Sequence, residues 1–315
     1  MTVSSDATSP RASLVHDGFF YHDVEEFLAV TVPFVREGLA EAEPVLVAVP
    51  QPRVDLLRDE LGEGSAEVRF LDMSKAGRNP NRIIPWVLRA FVDEFTGRPV
   101  RIIGEPIWPG RAPAEIPVCV QHEAMINVAL ADTPATVLCP YDAARLHAGV
   151  LMYAGRTHPT LVVDGTRRPH EGYAEPIGLV ALLNQPLPDP PEPVSEVCFD
   201  LNGLAEMRSM VAEGGRRAGL APDLIVDLQL AVNEIASNSM IHGRGDAVVR
   251  VWLEADRVVC EVRGPGEITD WMAGRVRPAD TSERGRGLLL ANRLCDLVQT
   301  YTCPDGTTTR LHMRR

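Results

Sequence analysis

The sequence predicts two domains of different class: an α/β unit on a mostly parallel sheet, then an α+β two-layer sandwich. Three observations carry this. The 315 residues exceed the roughly 100–200 of a usual single domain. In the first half, short apolar runs alternate with amphipathic ones, as in sheets that helices cover on both faces. After NQPLPDPPEPVSE at 184–196 the order changes, and two helical stretches precede a group of strand-like runs, which fits one helical layer on a mostly antiparallel sheet.

In the first domain, placed at 14–183, PVLVAVP (44–50), AEVRFLDM (66–73), RPVRIIGEPI (98–107) and ATVLCPYD (135–142) are short, rich in Val and Ile, and read as buried strands. Between them, residues 22–42, 53–62, 81–95 and 118–131 have helical periodicity. The five prolines and three acids of 184–196 favour extended chain, so 184–194 reads as a linker. In the second domain, 195–315, a strand VCFDL leads to helices near 203–218 and over 222–242. Strands follow in AVVRVWLEADRVVCEVRG, then a helix over GLLLANRLCDLVQTYT, then a final strand TTTRLHMR.

A net charge of −12 and a pI near 5.2 argue against a nucleic-acid or membrane-surface binder, which needs a basic face, and point to proteins or small molecules as partners. The six cysteines form no CxxC pair and read as reduced, mostly buried thiols of a cytoplasmic protein. The first residues lack the apolar core of a signal peptide, and no run approaches the roughly 20 apolar residues of a membrane span. Lys75 is the only lysine and follows no glycine, so the phosphate-loop pattern GxxxxGK[ST] is absent.

The stretch AVNEIASNSMIHGRG places Glu234, Asn238 and His242 at four-residue steps, hence on one helix face. Pro222 and Asp223 suit a first turn, Gly243 a C-terminal stop, and Leu224, Leu228, Ala231 and Ile235 supply the buried face. Polar groups beside a core are costly unless paired. One such residue would read as satisfied by its neighbours; a carboxylate, an amide and an imidazole in register read as a site. In ERGRGLLLANRL, Gly285 and Gly287 precede an apolar helix, so backbone N–H groups can face an anion, flanked by Arg284 and Arg286.

These residues reach a family. The segment from about 195 to 315 resembles the GHKL ATPases (Bergerat fold), and among them the actinobacterial anti-sigma factors that are serine/threonine kinases. NEIASNSMIHG is similar to their N box, GPGEITD stands at the first glycine box with Gly266 retained, GRGL is similar to the second, and DGTTTRLHM, with Thr308, to the closing strand. The resemblance implies ATP and Mg²⁺ as cofactors, Asn238 as Mg²⁺ ligand, Glu234 as general base, and a lid around 285–287. It implies a sigma factor and an anti-sigma-factor antagonist as partners. Related domains commonly dimerise, which makes a homodimer one arrangement to test. Where the family's first glycine box has an adenine-binding aspartate, this chain has Gly264. Losing that charge-assisted bond costs about 1.5–3 kcal/mol, and an aspartate restored at 264 is expected to tighten ATP about tenfold. Two readings lead, a kinase or a binding module that sequesters partners without phosphoryl transfer; a free-standing ATP hydrolase is a weaker third, since nothing suggests a water-positioning residue.

Residues from about 14 to 165 resemble the MEDS sensory domain through HDGFFYHDVEEF, GEPIWPGR, QHEAMIN, CPYD and RTHP. That family implies a RecA-like sheet used for sensing a small molecule. Glu105, Trp108, His122, Glu123, Cys139, Tyr141, Asp142 and His158 fall at strand ends or on facing helices, where open α/β sheets bind ligands. Mutual satisfaction in the core is an equal reading of them. No pair has metal-ligand spacing such as HxxxH or CxxC.

Overall fold

The computed structural model describes residues 13–199, 203–242, 247–277 and 286–315, with the side chains of 241 and 242 excepted. The chain divides into two compact units, residues 1–77 with 86–179, and residues 78–85 with 180–315. The proline-rich segment therefore belongs to the second unit: Arg310 donates to the carbonyl of Pro188, and Asn184 bonds both the amide and carbonyl of Thr302.

In the first unit the order is β1 (Val15–Tyr21), α1 (Val24–Ala40), β2 (Val45–Val49), α2 (Gln51–Leu61), β3 (Val68–Asp72), α3 (Met73–Ala76), α4 (Arg89–Glu94), β4 (Val100–Gly104), α5 (Ile116–Ala129), β5 (Ala135–Asp142), α6 (Ala148–Thr157), β6 (Thr160–Val163), β7 (Thr166–Pro169) and α7 (Pro176–Leu182). The sheet runs β3-β2-β4-β5-β1-β6-β7, parallel throughout except for the β6–β7 hairpin. All four expected strands form. The first strand, β1, lies between β5 and β6, yet its VHDGFFY is missing from the sequence reading. His16 and Asp17 broke the apolar pattern, and both are buried, at 2% and 0% exposure. Two of the expected helices shift: 53–62 begins at Gln51, and over 81–95 residues 84–88 wind as a π-helix before α4.

The second unit contains β8 (Ser195–Phe199), α8 (Leu204–Ala218), α9 (Pro222–His242), β9 (Ala247–Leu253), β10 (Arg257–Gly264), α10 (Arg286–Leu294), β11 (Leu297–Cys303) and β12 (Gly306–Arg314). The sheet runs β11-β12-β10-β9-β8 and is antiparallel throughout. Met207, Val211, Leu228, Ala231, Val232 and Ile235 of the helices pack on Val249, Val251, Cys260, Val262, Leu311 and Met313 of one sheet face. One expectation is corrected: the helix expected over 287–302 stops at Leu294, and LVQTYTC is β11, whose β-branched and aromatic residues pair with β12 in full register. Among the described residues no helix is long and apolar enough to cross a membrane, and no cysteine is bonded to another.

Candidate functional site

On α9, Glu234 and Asn238 are half-buried, flanked by the fully buried Ala231, Val232 and Ala236. His242 ends the helix, but its side chain lies outside the described residues, as do Arg284 and Gly285. Arg286 opens α10 and is exposed; Gly287 beside it is buried. A Cβ at Gly287 would stand 2.4 Å from Asn238 Nδ2 and 3.3 Å from Glu234 Oε2. Real Cβ atoms essentially never stand at the first distance, so any other residue at 287 would displace the end of the Asn238 side chain from the start of α10.

Beyond the end of β10, Gly266 has φ +102°, a conformation that favours glycine, and its carbonyl accepts from Thr307 Oγ1 at 2.8 Å. Thr307 pairs with Gly264, on the face where Cys260, Val262, Leu311 and Met313 meet the helices. Thr308 pairs with Arg263, and strand alternation turns its side chain to the other face. Of the threonines in the run TTT, Thr307 is the one beside the first glycine turn. Gly264 abuts α9: a Cβ there would lie 2.5 Å from Ser239 Cβ. The cavity lined by Met210, Glu213, Arg217 and Trp252 contains none of these residues.

In the first unit the eight expected residues separate into three places. Glu105, just past β4, is 1% exposed and accepts from Tyr21 at 3.2 Å, while Arg53 of α2 donates to the same phenol at 3.3 Å. Burial pushes the Glu105 carboxyl up to about 8, against the pull of Arg53 and with a smaller push from Asp142. Burial and Glu105 likewise raise the Tyr21 phenol. Tyr21, Glu105 and Asp142 sit at the carboxyl ends of β1, β4 and β5, where open α/β sheets take ligands. Tyr21 and Arg53 escaped the sequence reading; the strand status of β1 was the signal for the first. Trp108 stands apart and stacks on the buried Arg111 guanidinium at 4.0 Å.

The third place joins Glu123 of α5, Cys139 and Tyr141 of β5, His158 after α6, and His16 of β1, which sequence spacing could not reveal. Glu123 Oε2 lies 3.2 Å from His158 Nε2 and 3.6 Å from His16 Nε2, and it accepts from Tyr141 at 2.8 Å. Cys139 Sγ is 3.4 Å from His16 Nε2. His122 Nε2 is 3.8 Å from the other carboxylate oxygen. Burial alone would raise the Glu123 carboxyl, but the facing His158 and His16 outweigh it and hold it well below its ordinary range. Burial, reinforced by Glu123, pushes the Cys139 thiol and the Tyr141 phenol up.

Comparison with known proteins bears on both units. Residues 15–159 match MEDS, the MEthanogen/methylotroph, DcmR Sensory domain, and residues 198–313 match the histidine kinase-like ATPase domain. The chain carries a MEDS domain followed by a histidine kinase-like ATPase domain. Among solved structures it is similar to the RsbU and RsbW domains of Rv1364c from Mycobacterium tuberculosis, at 23% identity and a TM-score of 0.31. That match covers 39% of this chain and 33% of the other, so this chain spans about a third of that protein's length. No curated protein matches the chain. The MEDS match contains the buried His16–Glu123–Cys139–His158 group, and the ATPase match contains Glu234, Asn238, Gly266, Gly287 and Thr307.

Proposed function

We propose that the protein is a cytoplasmic anti-sigma-type regulator in which the MEDS domain senses a small molecule and the ATPase domain binds Mg·ATP to act on a protein partner. The observation that carries the nucleotide reading is the approach of Gly287 to Asn238 and Glu234, which sets a helix N-terminus against an amide and a carboxylate. That donor set fits the group: the amide oxygen of Asn238 would hold Mg²⁺, and backbone N–H groups at the start of α10 would face phosphate. Bound ATP supplies the phosphoryl group. Glu234 would accept the proton of a partner hydroxyl, and Gly287 keeps a side chain away from the phosphate side. The partners of this reading are a sigma factor and an anti-sigma-factor antagonist, with a homodimer as the assembly.

A second reading, a module that sequesters partners without phosphoryl transfer, is favoured by one observation. Gly264 offers no side-chain acceptor to adenine and is packed against Ser239. Calorimetric titration with ATP and Mg²⁺ decides between them. The native chain should bind, and Asn238→Ala should lose Mg²⁺-dependent binding while keeping its fold, because a half-buried amide beside the core carries little packing. Equal binding by the variant would make the stripe structural. Binding without phosphoryl transfer to any antagonist would favour the sequestering module.

A further inference from the structure

The four buried residues His16, Glu123, Cys139 and His158 present one ligand atom each, all within 4.8 Å of one another. Their hydrogen bonds fix the tautomers. Asn127 donates through Nδ2 to the carbonyls of Thr157 and Ala124, so its Oδ1 faces His16 and must accept from Nδ1 at 3.1 Å. The carbonyl of Ala154 likewise accepts from His158 Nδ1 at 2.7 Å. With Nδ1 of each ring donating, each Nε2 faces the Glu123 carboxylate, and in the neutral imidazole that nitrogen offers its lone pair to a metal ion. Among the described residues, His158 Nε2 and Glu123 Oε1 have no hydrogen-bond partner of sound geometry, though both residues are buried, at 0% and 1% exposure. A carboxylate in a dry interior is costly unless positive charge or donors face it, and a metal ion among these four ligand atoms would supply that charge.

We infer that this group is a tetrahedral site for a divalent transition-metal ion of the Zn²⁺ class, with His16 Nε2, Glu123, Cys139 Sγ and His158 Nε2 as its ligands. Bonds of about 2.0–2.3 Å in a tetrahedron place ligand atoms about 3.3–3.7 Å apart. Three of the six separations, 3.2, 3.4 and 3.6 Å, lie within about 0.1 Å of that spacing, and all six are within 4.8 Å. The second layer is built too: Asn127 and the Ala154 carbonyl orient the imidazoles, and Tyr141 donates to the carboxylate. Four protein ligands leave no open position, which makes the site a clasp and not a catalytic centre. It joins β1, α5, β5 and the end of α6, elements up to 142 residues apart in sequence, and with all four ligands buried the ion enters as the domain folds. The thiol proton of Cys139 leaves to solvent on binding. The inference is independent of the nucleotide reading.

The full chain, unfolded with chelator and refolded with Co²⁺, should retain one equivalent after desalting and show thiolate-to-cobalt charge-transfer absorption. Refolding with Zn²⁺ should raise the thermal midpoint above that of the chelated protein. Cys139→Ser should abolish the charge-transfer band, and Asn127→Leu, which touches no metal, should weaken Co²⁺ retention about 10- to 100-fold. Retention of no Co²⁺ by the native chain, retention without the band, or a band that survives in Cys139→Ser overturns the site. The native-chain spectrum decides even where a variant does not fold.

Discussion

Glu105 shows how a single residue carries both a cost and a handle. Its carboxyl, ordinarily near 4.5, is raised to about 8, with burial the largest cause, and it is faced by Tyr21 of β1, Arg53 of α2 and Asp142 of β5. Between those values the unfolded chain has lost the proton that the native chain keeps. Stability therefore falls as pH rises from about 4.5 through about 8 and levels off above, by a few kcal/mol at about 1.4 per unit. Glu105→Gln removes the titration, so its denaturant midpoint should decline less than the native protein's over that window. Parallel midpoint curves for the two would sink this account. The same position suits a polar ligand that meets a neutral acid at the strand ends, which is how Glu105 would serve the sensing role proposed for the MEDS domain.

At the scale of elements, β10 and α9 meet too closely for the aspartate that the first glycine box lacks. Gly264→Asp alone would drive its Cβ into Ser239 and should cost about 1–3 kcal/mol, as overpacking does, instead of tightening ATP. Ser239→Gly opens the space at about 1 kcal/mol for a helical glycine. The double variant should then recover most of the lost stability and bind ATP about tenfold tighter. If calorimetry finds equal affinity for the native and double-variant proteins, adenine is read elsewhere. Elements were legible where one force set them. Helix α9 runs from Pro222 to His242 as its proline and apolar spacing indicated, and the Val-rich strands of the parallel sheet read directly. Strand β1 did not, because His16 and Asp17 answer to a buried polar group and not to the core. The α10–β11 boundary did not either, because an amphipathic helix and a half-buried strand meet within three residues, and only pairing with β12 separates them. The stripe of the candidate site was visible because its spacing is local to one helix. The His16–Glu123–Cys139–His158 group was not, because its members come from four elements and share no spacing.

At the scale of the molecule, the second unit is built from two pieces of chain, residues 78–85 and 180–315. The short piece is not incidental to its packing. Asn79, fully buried, donates to the Asn292 carbonyl at 3.0 Å; Asn81 donates to the Val298 carbonyl at 3.0 Å and to Asn292 Oδ1 at 3.2 Å. Asn292 in turn donates to the Gly274 carbonyl at 2.9 Å. The piece thus satisfies buried acceptors at the end of α10, along β11 and on the α10 side chain that ties the 274 turn. Leaving such groups unpaired costs about 1–3 kcal/mol each. A fragment of residues 195–315, which the proline-rich segment first suggested as a free-standing domain, lacks these donors as well as the Asn184 contacts to Thr302. It should unfold at lower denaturant than the same unit in the full chain, and Asn79→Ala with Asn81→Ala should shift the full chain in the same direction. Hydrogen exchange at the β11 and α10 amides measures this locally: faster exchange in both fragment and double variant is the expected result. Protection in the 195–315 fragment equal to that in the full chain would show that residues 78–85 add nothing, and that the ATPase domain folds on its own sequence alone.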